Sequence, residues 1–264
     1  MARGFAAQDI LMKASIALVF LFLSLGFAQA TQAAEIHVMS GGAVQGALKV
    51  LTPQYEAQSG DKVIYDFAVI ETIRKRLDTG ESADVVLLPR NVIDAYIATG
   101  RMRADSPASL GTVGTVLVVK EGAPKPDIST PDAFKKTLLA AKSIAFSTSR
   151  TPSGAHMAHV LDELGIAGDV KGKLILQPAL EGGVAHVVSG DAEIGIYPES
   201  EVAPVKGITV VASLPAPYEL NAIYTAAVPN ANNAPGPAQA FIKFLADPAN
   251  RGVWKSAGFT PPTP

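Results

Sequence analysis

The sequence predicts an α/β protein with mostly parallel sheets, arranged as two lobes around a cleft. Three observations carry that prediction. β-rich runs alternate with amphipathic helical runs along nearly the whole chain, the pattern of a parallel sheet covered by helices. The junctions from strand to helix are small and hydroxylated, as in Ser40-Gly41-Gly42-Ala43 and in Thr148-Ser149-Arg150-Thr151-Pro152-Ser153-Gly154. The alternation comes in two halves, with short crossings near Gly114 and Val228.

The elements follow in order. Glu35 to Met39 alternates and is β-rich, so it reads as a strand. A helix with apolar Val44, Leu48, Leu51 and Tyr55 comes next, then a strand over Lys62–Phe67 and a short helix from Ile70 to Leu77 that ends near Gly80. Ala83 to Leu88 is mostly apolar, the mark of a strand buried on both faces. Asn91 to Thr99 is helical and stops at Gly100.

The second half opens with a β-rich run from Thr112 to Val119. Thr130-Pro131-Asp132 predicts a helix start, with a hydroxyl cap and proline at the first helical position. Strands are expected at Lys142–Phe146, Lys173–Leu176, Ala192–Tyr197 and Ile208–Ala212. Helices are expected after Pro152, running to about Leu164, and after Gly182-Gly183. The β-rich run Tyr218–Val228 returns the chain to the first lobe, and Pro237–Leu245 and Pro248–Ala257 close it with amphipathic helices.

Ahead of all this lies a segment of a different kind. Arg3 and Lys13 precede an apolar run, Ala14 to Ala28, and then small or polar residues to Ala34, the pattern of a cleavable export signal. Ala28-Gln29-Ala30 is one cleavage signal and a cut after Ala34 is another. The run of 15 residues falls short of the roughly 20 that span a bilayer. The expected organisation is therefore a signal over 1–34, a first lobe of 35–113 with 229–264, and a second lobe of 114–228.

Composition removes several function classes. With 48% apolar and 17% charged residues the chain is not of the disordered class. A formal charge of −2 and a pI near 6.1 leave no basic face for nucleic acid. The sequence holds no Cys, which excludes disulfides, thiolate metal sites and cysteine nucleophiles.

A net negative protein that binds an anion must use local dipoles and a few placed cations. Ligands in open α/β sheets sit beyond the carboxyl ends of the strands, so the cleft is the expected site. Ser40, Gly41 and Gly42 offer backbone N–H groups at one helix start, and Gly182 at another. Ser149, Thr151 and Ser153 add hydroxyls, and Arg150 adds a guanidinium able to grip a carboxylate with two hydrogen bonds. Arg74, near a helix start, and Arg90, at a strand's carboxyl end, are the other cationic candidates, whereas Lys75 and Arg76 read as a solvated face.

Glu71 and Glu199 lie close to strand ends and could accept a ligand hydroxyl or a proton, although a surface or capping role fits each as well. His156 and His159 stand three apart on one helix, but no third ligand completes a zinc site, and no metal or cofactor is expected. Of these histidines His156 is placed to face the cleft. No Ser/His/Asp order stands out, and Gly-x-Ser-x-Gly is absent.

The chain resembles the periplasmic molybdate-binding proteins of ABC transporters, which have the type II solute-binding fold. The likeness lies in Ile36–Leu48, in Asp66-Phe67-Ala68, in Thr79 to Val85, in Pro152-Ser153-Gly154, in Gly195-Ile196-Tyr197 and in Phe241 to Phe259 with its Ser256-Ala257-Gly258-Phe259 ending. The resemblance implies a periplasmic monomer that binds a small anion and serves a permease. That family holds a tetrahedral oxyanion with Ser and Tyr hydroxyls and backbone N–H groups. Here the first Ser position is Ala43, the second cluster is Val69-Ile70-Glu71, and the Tyr position is Pro198, with Tyr197 one residue early.

These replacements favour an organic polycarboxylate over molybdate or tungstate. One branch of the fold, the bacterial aconitate isomerases, is exported, needs no cofactor and interconverts cis- and trans-aconitate by allylic proton transfer. That chemistry implies the Arg set as clamps and Glu71, Glu199, His156 or Tyr197 as the proton carrier.

Overall fold

The computed structural model describes residues 33–177, 183–232 and 235–262. The expected signal lies outside the described residues save for Ala33 and Ala34, and so does Gly182.

The first half runs β1 (Glu35–Ser40), a 3-10 turn at Gly42–Val44, α1 (Gln45–Ser59), β2 (Lys62–Phe67), α2 (Ile70–Asp78), β3 (Val85–Pro89) and α3 (Arg90–Ala98). The long β4 (Ala108–Lys120) leads into α4 (Pro131–Ala140), β5 (Ile144–Ser147), α5 (Pro152–Glu163), α6 (Ala167–Val170) and β6 (Leu174–Gln177). Then come α7 (Ala185–Ser189), β7 (Ile194–Pro198), α8 (Glu199–Val202), β8 (Ile208–Ser213) and β9 (Asn221–Ala227). The chain closes with α9 (Pro235–Leu245) and α10 (Arg251–Ser256).

Among the described residues the strands follow the order β2-β1-β3-β9-β4-β7-β5-β6, with β8 paired to β4. The parallel ladders expected from the alternation form the flanks: β1 with β2 and β3, and β5 with β6 and β7. The centre departs from a mostly parallel sheet. β9 runs antiparallel to β3 and to the first half of β4, from Ala108↔Ala226 to Gly114↔Asn221. The second half of β4 runs antiparallel to β7, from Thr115↔Pro198 to Val119↔Ile194, and to β8. The reason is connectivity: β4 and β9 carry the chain out of one set of strands and back into the other, so each crosses in the direction opposite to its neighbours.

Burial follows from the hydrophobic pattern. β3 is apolar on both faces because both are covered, and Val85 to Leu88 are fully buried. One core gathers Leu48, Leu51, Phe241 and Trp254 behind β1. A second places Ile73, Leu88, Ile93 and Tyr96 between α2, α3 and the same strands. Beyond the crossing, Phe134, Leu138, Met157 and Leu161 form a third, and Val118, Val187, Tyr197 and Val202 a fourth.

Helix starts match the local chemistry. Thr130 caps α4 by accepting a hydrogen bond from the Ala133 N–H, with Pro131 at the first helical position. The expected single helix over Pro248–Ala257 divides instead into a 3-10 turn at Pro248–Asn250 and α10. Asp247 captures the Ala249 N–H, which tightens that first turn.

A cleft at the strand carboxyl ends

The carboxyl ends of the strands and the helix starts that follow them enclose a cleft of about 800 Å³. Its first wall begins where β1 ends. Ser40 is fully buried and its hydroxyl donates to the Gly41 carbonyl, so it faces inward. The Gly41 N–H is taken by Leu87 O, and the wall itself is made by Gly42 and Ala43. α2 and α3 both start on this wall without a side-chain cap, after Val69 and Pro89 in extended conformation. Their first N–H groups and the positive ends of their dipoles favour negative charge at the mouth.

Arg74 and Arg90 project from these helices into the cleft lining. Each is half exposed and held by a carboxylate of its own helix: Arg74 by Glu71 at 3.3 Å, Arg90 by Asp94 at 2.7 Å. Such exposed pairs on one helix contribute about 0.3–0.5 kcal/mol. An incoming anion can therefore displace Glu71 or Asp94 at small cost.

The opposite wall is the turn from β5 into α5. Thr148 N–H donates to Gln177 O, and the Thr151 N–H and hydroxyl both donate to Thr148 O. The Thr151 hydroxyl oxygen accepts from the Gly154 N–H and lies 3.3 Å from the Ser153 hydroxyl. Gly154 is required by close approach: a Cβ there would lie 2.1 Å from Thr148 O and 2.2 Å from Ser147 O. The turn is thus braced from behind, and Ser149, Arg150, Thr151 and Ser153 line the cleft. Arg150 is exposed and has no ion-pair partner among the described residues.

The floor is formed by Val113 and Thr115 of β4, by Leu220 to Tyr224 and by Pro198 and Glu201. α8 packs on the Gly42–Val44 turn and is held from behind at Gly258, whose φ of +82° and tight contact with Glu199 O leave no room for a side chain. Glu201 lines the cleft and its side chain is exposed there, whereas its neighbours Ser200 and Val202 are buried. Burial disfavours the ionised form and pushes its carboxyl up to about 7, an effect the open face tempers. Tyr197 and Tyr224 are shifted upward by their own burial and then by the Glu201 charge, so both stay neutral.

Of the residues singled out in the sequence, Gly42, Glu71, Arg74, Arg90, Ser149, Arg150, Thr151 and Ser153 share this lining. Ser40 and Gly41 lie just behind it. His156 is turned away: its Nε2 sits 2.9 Å from Tyr218 O. Tyr197 is buried, with its hydroxyl donating to Gly183 O. Glu199 starts α8 off the lining, and Gly182 falls outside the described residues. Thr115, Asn221, Tyr224 and Glu201 line the cleft without having been singled out. The signal for Glu201 was its place on α8: it stands two residues beyond Glu199, about 200° around the helix, so the two carboxylates point to opposite sides and Glu201 is the one on the cleft.

Among the described residues no group of three or more His, Asp or Glu is placed to hold a metal ion. None of their helices is long and apolar enough to cross a membrane.

Comparison with known proteins agrees with this architecture. The family model described as bacterial extracellular solute-binding protein matches residues 36–260. The chain is 32% identical to an aconitate isomerase from Pseudomonas sp over 232 residues, 85% of this chain and 87% of that protein. It is 25% identical to the molybdate-binding protein ModA of Escherichia coli strain K12, over 92% of this chain and 96% of that one. The structure of the periplasmic molybdate-binding protein of Azotobacter vinelandii superposes with a TM-score of 0.68 at 17% identity, covering 86% of this chain and all of that one, so the type II periplasmic binding-protein fold is shared. With strand order, cleft and family match in agreement, the chain belongs to the bacterial extracellular solute-binding protein family.

Proposed function

We propose that the cleft binds a small organic polycarboxylate. The observation that carries this reading is the presence of Arg74, Arg90 and Arg150 on one lining; the resemblance to molybdate-binding proteins adds that Ala43, Val69-Ile70-Glu71 and Pro198 stand where that family has hydroxyls. A guanidinium matches a carboxylate through paired N–H···O bonds, and three of them suit a tricarboxylate. Helix starts at α2, α3 and α5 add N–H groups of the same polarity.

In this reading residues 35–113 with 229–264 form one lobe and 114–228 the other. The protein is exported by the signal in 1–34, works as a periplasmic monomer, and needs no cofactor. Delivery to a membrane permease is the role that goes with binding alone.

A second reading is favoured by the aconitate isomerase relative: the bound molecule is converted between cis- and trans-aconitate. The reaction moves one proton across an allyl unit. Guanidinium groups on the carboxylates would stabilise the negative charge that spreads into them when the C–H bond breaks.

A ligand panel tests both. In a thermal-shift series, trans-aconitate, cis-aconitate or citrate raises the melting temperature and molybdate or tungstate does not. A shift with molybdate alone would overturn the polycarboxylate reading. Proton NMR of protein with trans-aconitate then decides between binding alone and turnover.

A further inference from the structure

We infer that Glu201 is the group that exchanges a proton with the bound polycarboxylate; this rests on the reading of the cleft as a polycarboxylate site. The geometry singles it out among the acids of the cleft. Glu71 and Asp94 are each held by an arginine of their own helix, at 3.3 and 2.7 Å. Glu201 makes no ion pair among the described residues, and it lines the floor between the two cationic walls. α8 fixes its position, since that turn is packed between the Gly42–Val44 turn and Gly258. His156 and Glu199 are off the lining, so they do not compete.

Its surroundings suit the task. Its charge is felt at Tyr197 and Tyr224, which are neutral, and the protein packed behind it shifts its carboxyl upward, an effect that its exposure to the cleft reduces. An acid with a pKa near the working pH both accepts and returns a proton efficiently.

The step balances without an oxidant or a co-reactant. Glu201 as carboxylate takes a proton from the methylene of trans-aconitate. The C–H electron pair becomes the new C=C bond, and the old π pair moves to the far carbon of the allyl unit. That carbon takes the proton back from the Glu201 carboxyl, and the product is the isomer. One carboxyl acting at both ends predicts transfer across a single face of the substrate, with part of the hydrogen returned internally.

The test is E201Q, an isosteric change, in the full protein. Isomerisation of trans-aconitate and deuterium uptake at its methylene are followed by proton NMR in D₂O, and citrate binding by calorimetry. We expect both rates to fall by about 10²–10⁴-fold, while citrate affinity stays within about threefold of wild type. Retention of the wild-type rates in E201Q overturns the assignment of Glu201 and leaves the cleft reading intact. Wild-type protein that binds citrate but neither isomerises trans-aconitate nor exchanges deuterium overturns the assignment in the same way. Wild-type protein that binds no carboxylate at all overturns both. If E201Q fails to fold, E201D serves instead, with a loss of at least about tenfold expected for a carboxyl withdrawn by one methylene.

Discussion

Arg150→Ala removes the guanidinium that the account relies on most. Arg150 lines the cleft beside Ser149 and Thr151 and makes no ion pair among the described residues, so the folded protein loses no internal partner. A hydrogen bond to a charged group contributes about 1.5–3 kcal/mol, and a paired Arg–carboxylate contact sits at the upper end of that range. At about 1.4 kcal/mol per factor of ten, dissociation constants for trans-aconitate and citrate should rise by about 30–150-fold. Stability should change by less than about 0.5 kcal/mol, as for other exposed substitutions. Calorimetry measures the first quantity and urea unfolding the second. Unchanged affinity would remove Arg150 from the site. Lost affinity together with a large loss of stability would mean that Arg150 supports the fold rather than the ligand.

Other consequences can be measured on the same protein. Gly154→Ala places a Cβ 2.1 Å from Thr148 O, against backbone that cannot yield cheaply; urea unfolding should show a loss of about 3 kcal/mol or more, at the upper end of overpacking costs, and a wild-type midpoint would refute the close approach. Trp254→Ala empties a site that is 2% exposed and removes the indole N–H bond to Leu245 O; the expected loss is about 3–5 kcal/mol, measured in the same way. Glu201 is an acid whose folded pKa is raised from 4.5 to about 7, so the folded state holds its proton more tightly and wild-type stability falls as pH rises through that window. Tyr197 of β7 and Tyr224 of β9 feel its charge, with Glu71, Arg74, Arg90, Asp94 and Arg150 on the surrounding walls. E201Q should therefore be more stable than wild type by about 1 kcal/mol above pH 7, after allowance for screening on its open face, and equal to it below pH 4.5; a pH-independent difference would contradict this. Asp66 and Glu81 run the other way: Arg76 holds both carboxyls below the usual range, so their contribution is present at neutral pH and is lost as acid protonates them, and R76A should flatten the acid limb of the stability profile.

Most of the fold was legible because its signals are local. The Lys62–Phe67 strand appears with the expected bounds, and Thr130 and Thr151 cap helices as hydroxyls before proline do. The antiparallel centre was not legible, because strand direction at β4 and β9 depends on which distant strands they join, and periodicity carries no such information. The cationic lining was legible through its place at strand ends and helix starts. Tyr197 illustrates the limit: it stands at a strand end like a ligand residue, yet the pleat turns it inward to Gly183 O, while Pro198 faces the cleft. Glu201 was missed in favour of Glu199 because the phase of a single helical turn, not proximity to the strand, decides which carboxylate faces the cleft.

The most direct measurement is calorimetric titration of wild-type protein with trans-aconitate and, separately, with molybdate. Saturable binding of trans-aconitate with no heat from molybdate is the predicted result. Saturable binding of molybdate with none of the carboxylate would contradict the claim that guanidinium groups have taken over from hydroxyls in this cleft.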